Sequence, residues 1–323
     1  MTAPESTAEM PPMMYGTAWK KERTADLVYQ AIKAGFRGID TAAMKKHYDE
    51  AGTGEGIRRA ISEGICSRKD LFIQTKFTPL DSSSSHSPTD PIPTQIHASL
   101  TSSLANLSTP DHHPPYLDAL ILHSPFPTTP ETLQAWSTLA LYLPTTTTTT
   151  TPDPDPNPAR AGRVLRLGIS NVTLPTLHAL SSSSDLPPPT IIQNRFRAAE
   201  HHWDTPTRAW CTTHGAAYQG FWTLTGNAAV WQGEGFVARV ARGAGVSLAG
   251  AWYALLMVRA GVVVLNGTGD GAHMREDLGV LGRVGAWRGT EEGAREWERC
   301  AREFAALVGD VKGGVEGGGE GSG

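Results

Sequence analysis

The sequence predicts a single-domain α/β fold, a (β/α)8 barrel of the TIM type with a low-complexity surface insertion. Short apolar runs alternate with segments whose apolar residues recur at helical spacing. Strands that are apolar on both faces are typical of a parallel sheet covered by helices on both sides. The strand–helix unit repeats eight times, which favours closure into a barrel.

Eight segments have the composition of buried strands. In chain order they are Met13–Thr17, Arg37–Asp40, Asp70–Lys76, Leu117–His123, Val164–Ser170, Thr190–Gln193, Ala216–Phe221 and Gly261–Leu265. Helical patterns fall between and after them, at Glu22–Ala34, Gly54–Ser62, Gln95–Leu107, Pro130–Leu143, Leu174–Leu180, Pro206–Thr213, Gly235–Arg242, Leu248–Arg259, Gly271–Leu281 and Glu291–Leu307. The first two helices are followed by glycines, Gly35 and Gly64, which favour helix termination.

A doubly wound open sheet is the alternative fold for such an alternation. To bind a dinucleotide, that fold would need a glycine-rich G-x-G-x-x-G turn after its first strand. The first predicted strand is instead followed by Gly16-Thr17-Ala18-Trp19, which does not match. The barrel is therefore favoured.

Low-complexity tracts set the predicted limits of the folded domain. We expect a disordered N-terminus over residues 1–12, the barrel over residues 13–310 and a disordered glycine-rich tail over residues 311–323. Residues 144–160 include a run of threonines that cannot form a core. We predict that they are a disordered surface insertion, with a lid as the functional alternative.

Composition argues against several classes of protein. The formal net charge is −4 and no cluster of Lys and Arg is dense enough to suggest a nucleic-acid partner. Cys66, Cys211 and Cys300 fit neither a metal-ligand spacing nor a disulfide framework, so we expect reduced thiols. No apolar run approaches the ~18–20 residues of a membrane span, and the N-terminus lacks the apolar stretch of a signal peptide. The expectation is a cytoplasmic protein, a monomer or weak dimer, without a nucleic-acid or membrane partner.

Functional side chains stand at the C-terminal ends of the predicted strands, where barrel enzymes hold their catalytic groups. They are Asp40, Lys76, His123, Ser170, Asn171, Gln193 and Phe221. Each has an ordinary structural explanation on its own, such as a helix cap, a solvated lysine or a core residue. Their convergence on one barrel mouth predicts an active site.

The motifs around these residues resemble those of the aldo-keto reductase family. The matching segments are Gly16–Trp19, Gly35–Ala42, Leu71–Lys76, Leu117–Pro125 and Gly162–Asn171, in family order, within a resemblance that runs from about Tyr15 to Leu281. Lys46-His47-Tyr48 and Gln193-Asn194-Arg195-Phe196 are similar to a fungal and bacterial branch. The expanded Thr and Ser tracts also suggest a filamentous-fungal genome.

The resemblance implies a catalytic tetrad of Asp40, Tyr48, Lys76 and His123. Carbonyl reduction needs a hydride and a proton, and tyrosine is a poor acid because its ordinary pKa is about 10. A neighbouring ammonium lowers that pKa, and Lys76 is expected to supply it. Asp40 would keep Lys76 charged and oriented. His123 would donate a hydrogen bond to the substrate oxygen.

The tyrosine is where the sequence departs from the family pattern. Most members have it five residues after the Asp, a position held here by Lys45. Counting back from Glu50 gives His47 instead, and Tyr48 is the neighbouring tyrosine. We predict that Tyr48 is the proton donor on an inserted segment. In the alternative, Tyr48 packs against the second helix, and His47 is the acid or the site is impaired.

The resemblance also implies a nicotinamide dinucleotide. Its expected ligands are Ser170, Asn171 and Gln193 at the carboxamide, Phe221 stacked on the ring, Thr17 and Asp40 nearby, and Thr268 and Arg275 at the adenosine phosphate. Phe221 has a core residue as its alternative. The family commonly has a Lys and an Arg at the adenosine 2′-phosphate, but this sequence has Gly267 and His273 there, which removes charge-assisted contacts. NADPH is expected, with NADH possible.

Aromatic side chains predict an apolar substrate pocket for a small aldehyde or ketone. The expected walls are Trp19, Phe77, Phe126 and Trp222, with Trp203 as a further candidate. The predicted function is an NAD(P)H-dependent oxidoreductase that reduces a carbonyl to an alcohol. One alternative is an impaired nicotinamide-binding barrel that acts as a sensor or partner subunit. Another is a barrel hydrolase or isomerase with a metal between His123 and Asp40, although no metal site is predicted.

Overall fold

The computed structural model describes residues 8–81, 87–144 and 162–310. Eight parallel strands pair in sequential order, and the last pairs with the first, so the predicted (β/α)8 barrel is confirmed. The strands are β1 Met13–Gly16, β2 Gly38–Asp40, β3 Phe72–Phe77, β4 Ala119–Leu122, β5 Leu167–Ser170, β6 Ile191–Arg195, β7 Ala217–Phe221 and β8 Val263–Asn266.

Helices surround the barrel. They are α1 Thr24–Ala34, α2 Glu50–Ser62, α3 Ile92–Asn106, α4 Thr129–Ala140, α5 Leu174–Ser181, α6 His201–His214, α7 Ala228–Trp231, α8 Phe236–Ala244, α9 Leu248–Ala254, α10 Gly271–Arg288 and α11 Glu291–Val308. A π-helical turn, Leu255–Arg259, follows α9. Helix α2 begins four residues earlier than predicted because the Asp49 carboxylate accepts a hydrogen bond from the Gly52 amide at 2.9 Å and caps the helix.

Two apolar cores follow from the alternation of side chains along each strand. Inside the barrel, an apolar floor is formed by Met14, Phe72, Ala119, Ile121 and Ile191, with Val263 and Leu265 packed against them. The outward side chains join a larger core between the strands and the helices. Space inside the barrel is limited, since a Cβ atom at Gly168 would lie 2.5 Å from the Ile121 side chain.

The N-terminal segment reaches the barrel floor before β1 begins. Ala8 and Met10 pack against the interior apolar residues, and the Pro12 carbonyl accepts a hydrogen bond from the Val264 amide at 2.9 Å. The predicted disorder of residues 1–12 is therefore wrong for residues 8–12, because their apolar side chains close the bottom of the barrel. Residues 1–7 and the predicted tail 311–323 lie outside the described residues.

The connection between α4 and β5 includes the threonine run. Residues 145–161 lie outside the described residues, but both flanks are seen. The Gly162 amide donates to the Leu143 carbonyl at 3.2 Å, and the Val164 amide donates to the Tyr142 carbonyl at 3.0 Å. The two flanks therefore meet at the N-terminal end of β5, which is the end opposite the barrel mouth. This position gives no support to a lid.

Membrane-spanning character was sought in the helices of residues 8–81, 87–144 and 162–310. No single one of these helices is both long and apolar enough to cross a membrane. Helix α8 together with residues 248–259 meets the length and composition criteria only as a pair bent by 101°.

A buried ion pair joins β4 to the turn that precedes β3. The Arg68 guanidinium lies 2.8 Å from the Asp118 carboxylate, and both side chains are almost fully buried. Arg68 also donates to the carbonyls of Leu71 and Tyr116, at 2.8 and 3.0 Å, and Asp118 accepts from the Ile73 amide at 2.9 Å. The pair thus holds the entrances of two neighbouring strands in register.

Replacing Arg68 by leucine should lower the free energy of unfolding by about 3–5 kcal/mol, because the substitution removes the guanidinium from a buried carboxylate. Urea unfolding followed by circular dichroism measures the change. Arg59→Leu is the matched control, since Arg59 pairs with Asp26 on the surface, where the two side chains are 50% and 72% exposed. We expect a loss of at most about 1 kcal/mol there. Equal losses in the two variants would contradict this account.

Candidate active site

The centre of the barrel mouth is a buried ion pair between Asp40 and Lys76. The Lys76 Nζ atom lies 2.6 and 2.7 Å from the two Asp40 carboxylate oxygens and donates to the Thr41 carbonyl at 2.8 Å. Burial alone lowers the pKa of Lys76, but the Asp40 charge and the neighbouring Tyr48 outweigh it and raise that pKa above its ordinary value. Lys76 is therefore a stable ammonium inside the protein.

Extra backbone hydrogen bonds hold the residues that follow the strands. The Thr17 amide donates to the Asp40 carbonyl at 3.0 Å, and the Ala43 amide donates to the Lys76 carbonyl at 3.1 Å. The Asn171 amide likewise donates to the Gln193 carbonyl at 3.1 Å. The backbone at these strand ends is thus still hydrogen-bonded to the neighbouring strand, which fixes the positions of the side chains at the mouth.

Tyr48 lies on the loop between β2 and α2, directly before the residue that caps α2. Its ring centroid is 5.1 Å from Lys76 Nζ and 6.1 Å from the His123 ring centroid. Burial raises the pKa of Tyr48 above its ordinary value near 10, whereas the charge of Lys76 opposes that rise. The hydroxyl is therefore protonated at neutral pH, and the nearby Lys76 cation stabilises its conjugate base.

His47, the alternative acid, faces another direction. Its ring packs on the ring of Trp19 with centroids 3.8 Å apart, and its carbonyl accepts from the Trp19 amide at 2.7 Å. The Nδ1 atom of His47 is buried and makes no hydrogen bond within the described part of the chain. The loop between β2 and α2 thus places Tyr48 beside Lys76 and His47 beside Trp19.

His123 follows β4 and lies beside Tyr48. Its Nδ1 atom is 2.7 Å from the Thr78 hydroxyl, and its carbonyl accepts from the Asn171 side-chain amide at 2.9 Å. Burial, followed by the Lys76 ammonium, lowers the pKa of His123 to about 3. The imidazole is therefore neutral at physiological pH. When the Thr78 hydroxyl donates to Nδ1, Nε2 bears the proton and can donate to a bound oxygen.

The predicted carboxamide ligands meet on one side of the mouth. Ser170 and Gln193 are buried, and the Asn171 side chain donates to Ser170 Oγ at 3.1 Å. Phe221 is half-buried rather than enclosed in the core, with the Arg195 guanidinium 5.6 Å from its ring centroid. Thr17 is fully buried, and its hydroxyl has no hydrogen-bond partner within the described residues. An orphaned buried hydroxyl of this kind fits a polar ligand.

The predicted phosphate ligands lie around the start of α10. The Thr268 carbonyl accepts from the Tyr15 hydroxyl at 3.0 Å, while Lys20 donates to the Gly267 carbonyl. Asp270 caps α10 by accepting from the amides of residues 272 and 273 at 2.7 and 3.0 Å. Arg275 is exposed one turn into the helix. Lys20 lies close to Gly267. A Cβ atom built at Gly267 would be 4.0 Å from the Nζ atom of Lys20.

The predicted pocket walls divide into two groups. Trp19 and Trp222 are 63% and 50% exposed, and both have left-handed backbone angles, with φ of 63° and 58°. Phe77 and Phe126 are only 2% and 5% exposed. Phe77 lies in the core between strands and helices, so its prediction as a pocket wall is wrong, whereas that of Phe126 stays a prediction. Phe77 points outward because it follows inward-facing Lys76, and Trp203 is likewise buried against Phe196.

Several residues of this region were missed by reasoning from strand ends. Thr78 is the partner of the His123 ring, and Gln74 and Gln219 lie below the mouth in contact with the Asp40 and Gln193 side chains. The two-residue period of the strands could have found the two glutamines, since Gln74 shares a face with Lys76 and Gln219 shares a face with Phe221. The side chain two residues before a strand-end residue lies in the layer directly beneath it.

Asp40 and His123 do not form a metal site in the described structure. The Asp40 carboxylate is occupied by Lys76, and His123 is bonded to Thr78. Across residues 8–81, 87–144 and 162–310, no group of three His, Cys, Asp or Glu side chains is arranged to hold a metal ion. The observed geometry thus favours proton and hydrogen-bond chemistry at this mouth.

Most of the barrel matches the model of one protein family. The model of the aldo/keto reductase family matches residues 12–229, about two thirds of the chain. The chain belongs to the aldo-keto reductase family. The match includes β1 to β7 and therefore Asp40, Tyr48, Lys76 and His123. It ends before β8 and α10, where Thr268 and Arg275 lie.

Curated relatives align over limited stretches. An NAD(P)H-dependent D-xylose reductase of Pachysolen tannophilus is 52% identical over 58 residues, 18% of each chain. An aldo-keto reductase of Bombyx mori is 26% identical over 201 residues, 60% of this chain and 54% of the relative. The alignments thus cover between about a fifth and a half of these relatives.

Solved structures share the fold over almost the full length. An aldo-keto reductase of Bombyx mori in complex with NADP has a TM-score of 0.65 at 20% identity, with 94% of this chain and 93% of that chain aligned. An aldo/keto reductase of Brucella melitensis has a TM-score of 0.63 at 21% identity, with 87% and 94% aligned. At such identities the likeness concerns the fold alone.

The neutral state of His123 can be measured. In ¹⁵N NMR titrations, its ring should remain neutral, with the proton on Nε2, down to about pH 5, because its pKa is about 3. Lys76→Met should raise that pKa toward the ordinary value of about 6.5, since the variant lacks the neighbouring cation. Lys46→Met removes an exposed ammonium from the same loop region and should leave the titration unchanged. A wild-type His123 that titrates between pH 6 and 7 would contradict the described electrostatics.

Proposed function

We propose that the protein is an NAD(P)H-dependent oxidoreductase that reduces an aldehyde or ketone to an alcohol. One observation supports this most: the Lys76 ammonium, which Asp40 holds, lies 5.1 Å from the Tyr48 ring centroid, and neutral His123 lies beside the same ring. A weak acid, a cation that stabilises its conjugate base and a hydrogen-bond donor are the groups that carbonyl reduction requires. Membership of the aldo-keto reductase family supports the same activity.

A nicotinamide dinucleotide fits the residues on the β5 to β7 side of the mouth. Ser170, Asn171 and Gln193 offer polar atoms for a carboxamide, Phe221 offers a partly exposed ring face, and Thr17 has an orphaned hydroxyl. When bound, the reduced nicotinamide supplies the hydride. NADPH is the proposed form, and NADH is the second candidate because Gly267 and His273 provide none of the usual positive charge. The structure of a Bombyx mori relative in complex with NADP supports this proposal.

The protein side chains divide the remaining chemistry among them. His123 donates from Nε2 to the carbonyl oxygen and so orients the substrate. Tyr48 then transfers its hydroxyl proton to that oxygen as negative charge develops there. Lys76 stabilises the resulting phenolate, and Asp40 keeps Lys76 in place and charged throughout.

The proposed substrate is a small aromatic or aliphatic carbonyl compound. Trp19 and Trp222 are the exposed aromatic walls of the mouth, which favours an apolar substrate body. Some relatives are named D-xylose reductases, so a polar aldose is the substrate to test beside it. Action in the cytoplasm, as a monomer or weak dimer without a nucleic-acid or membrane partner, and a fungal source remain predictions.

An impaired barrel that only binds nicotinamide is less well supported. That hypothesis was based on the unusual spacing of the tyrosine. The described geometry weakens it, because the loop between β2 and α2 still brings the Tyr48 ring to 5.1 Å from the Lys76 ammonium. Tight NAD(P)H binding without turnover on a broad panel of aldehydes and ketones would favour it again.

Tyr48→Phe should lower the turnover number for carbonyl reduction by about 10²- to 10⁴-fold, because the variant lacks the proton donor. Lys76→Met should have a similar effect. Steady-state NADPH oxidation measures the rate, and fluorescence titration checks that cofactor binding is retained.

His47→Phe is the matched control for the assignment of the acid. It keeps an aromatic ring against Trp19 and should change turnover by less than about tenfold. A normal rate in Tyr48→Phe together with a severe loss in His47→Phe would reverse the two roles. Normal rates in both Tyr48→Phe and Lys76→Met would contradict the proposed mechanism.

Arg275→Leu tests the proposed adenosine phosphate contact. We expect the dissociation constant for NADPH to rise by about tenfold, the size expected of one charge-assisted hydrogen bond, while that for NADH stays the same. Isothermal titration with both cofactors measures this. Arg283→Leu, further along α10, is the control. Equal weakening of NADPH and NADH in the Arg275 variant would refute a contact with the 2′-phosphate.

A further inference from the structure

Three buried glutamines form a polar layer inside the barrel, directly below the candidate active site. They are Gln74 on β3, Gln193 on β6 and Gln219 on β7. Below them lie the apolar side chains of the barrel floor. Buried amides are costly unless they are hydrogen-bonded, so this layer calls for an explanation beyond filling space.

Gln219 is the centre of the layer. Its Oε1 accepts from Gln193 Nε2 and from Gln74 Nε2, each at 2.8 Å. Its Nε2 donates to Gln74 Oε1 at 2.8 Å and contacts the sulfur atoms of Met10 and Met14, at 3.4 and 3.7 Å. Both the oxygen and the nitrogen of the Gln219 amide therefore have fixed partners, and these partners determine its orientation.

The upper side of the layer supports Asp40. Gln74 Nε2 donates to Asp40 Oδ1 at 2.6 Å, and Gln193 Nε2 donates to the same oxygen at 3.2 Å. These amides supplement Lys76, which contacts both carboxylate oxygens. The carboxylate is thus held by one cation and two neutral donors.

Gln193 is oriented by the same bonds. Its Nε2 donates to Asp40 and Gln219, and both acceptors lie inside the barrel. Its Oε1 accepts no hydrogen bond from the described residues and is not among the fully buried unpartnered atoms. Reversal of the amide would place an oxygen against two acceptor oxygens. Gln193 therefore presents an acceptor oxygen, and not an amino group, to the mouth.

We propose that Gln219 is a positioning residue for cofactor recognition: it holds the Gln193 amide in the one orientation that accepts a hydrogen bond from the amino group of a nicotinamide carboxamide. The inference rests on the proposed function, since it assigns the ligand of Gln193. Gln219 itself does not touch the ligand. It acts through Gln193, and through Gln74 it also keeps Asp40 in place.

The test compares two ligands in two variants of equal side-chain length. Gln219→Met removes the acceptor below Gln193, whereas Gln219→Glu keeps an acceptor oxygen and, because burial favours the protonated carboxyl, also a donor for Gln74. Fluorescence or calorimetric titration gives the dissociation constants for NADP⁺ and for 2′-phospho-ADP-ribose, which lacks the nicotinamide.

Gln219→Met should weaken NADP⁺ binding about tenfold and leave 2′-phospho-ADP-ribose within about twofold of the wild type. Gln219→Glu should restore NADP⁺ binding to within about threefold. The matched control is Gln95→Met, the same substitution at a buried glutamine on α3, outside the barrel interior, and it should change neither constant. A second variant, Gln74→Met, removes the amide that orients Gln219 and should weaken NADP⁺ about threefold.

Unchanged NADP⁺ binding in folded Gln219→Met, or equal weakening of both ligands, would overturn the proposal. If Gln219→Met does not fold, wild-type affinity in Gln74→Met together with a tenfold loss in Gln219→Glu would overturn it instead. A wild-type protein that binds neither ligand would refute the proposed function itself. Variants that bind as the wild type does would refute only the role of Gln219.

Discussion

The buried ion pair between Asp40 and Lys76 is the interaction on which the rest of the mouth depends. Two charges removed from water persist only when their remaining hydrogen-bonding positions are satisfied, and here they are met by the Thr41 carbonyl, Gln74 and Gln193. The ammonium in turn depresses the basicity of His123 and opposes the rise in the pKa of Tyr48. Burial is the larger cause of both pKa shifts, and this one pair adds to the shift in His123 and limits that in Tyr48.

Much of this arrangement could be predicted because the C-terminal ends of all strands of a parallel barrel lie around the same opening. Asp40, Lys76 and His123 follow or end apolar runs, so their convergence followed from topology. The position of the Tyr48 hydroxyl could not be derived in the same way, since it depends on how the loop between β2 and α2 folds. The amide layer of Gln74 and Gln219 was predictable in principle from the two-residue period, but only once the strand register is known.

The failed predictions share a physical cause. Phe77 was assigned to the pocket for its aromatic character, yet a side chain that follows an inward residue on a strand points to the outer core. Residues 8–12 were assigned to a disordered terminus by composition, but a few apolar side chains suffice to order a segment that finds an open barrel end. Composition describes a segment in isolation, whereas burial depends on which surfaces remain uncovered.

The hydrogen-bonded flanks of the α4–β5 connection have a consequence for which changes in sequence this chain tolerates during evolution. The hydrogen bonds between residues 142–143 and 162–164 fix the ends of the connection, whatever its length. Loop-closure entropy rises slowly with length, by about 0.6 kcal/mol for each doubling. Because the flanks lie at the end of the barrel remote from Asp40 and Lys76, repeat expansion there is nearly neutral for both stability and chemistry. The same site is suited to receive a foreign domain or new chain termini.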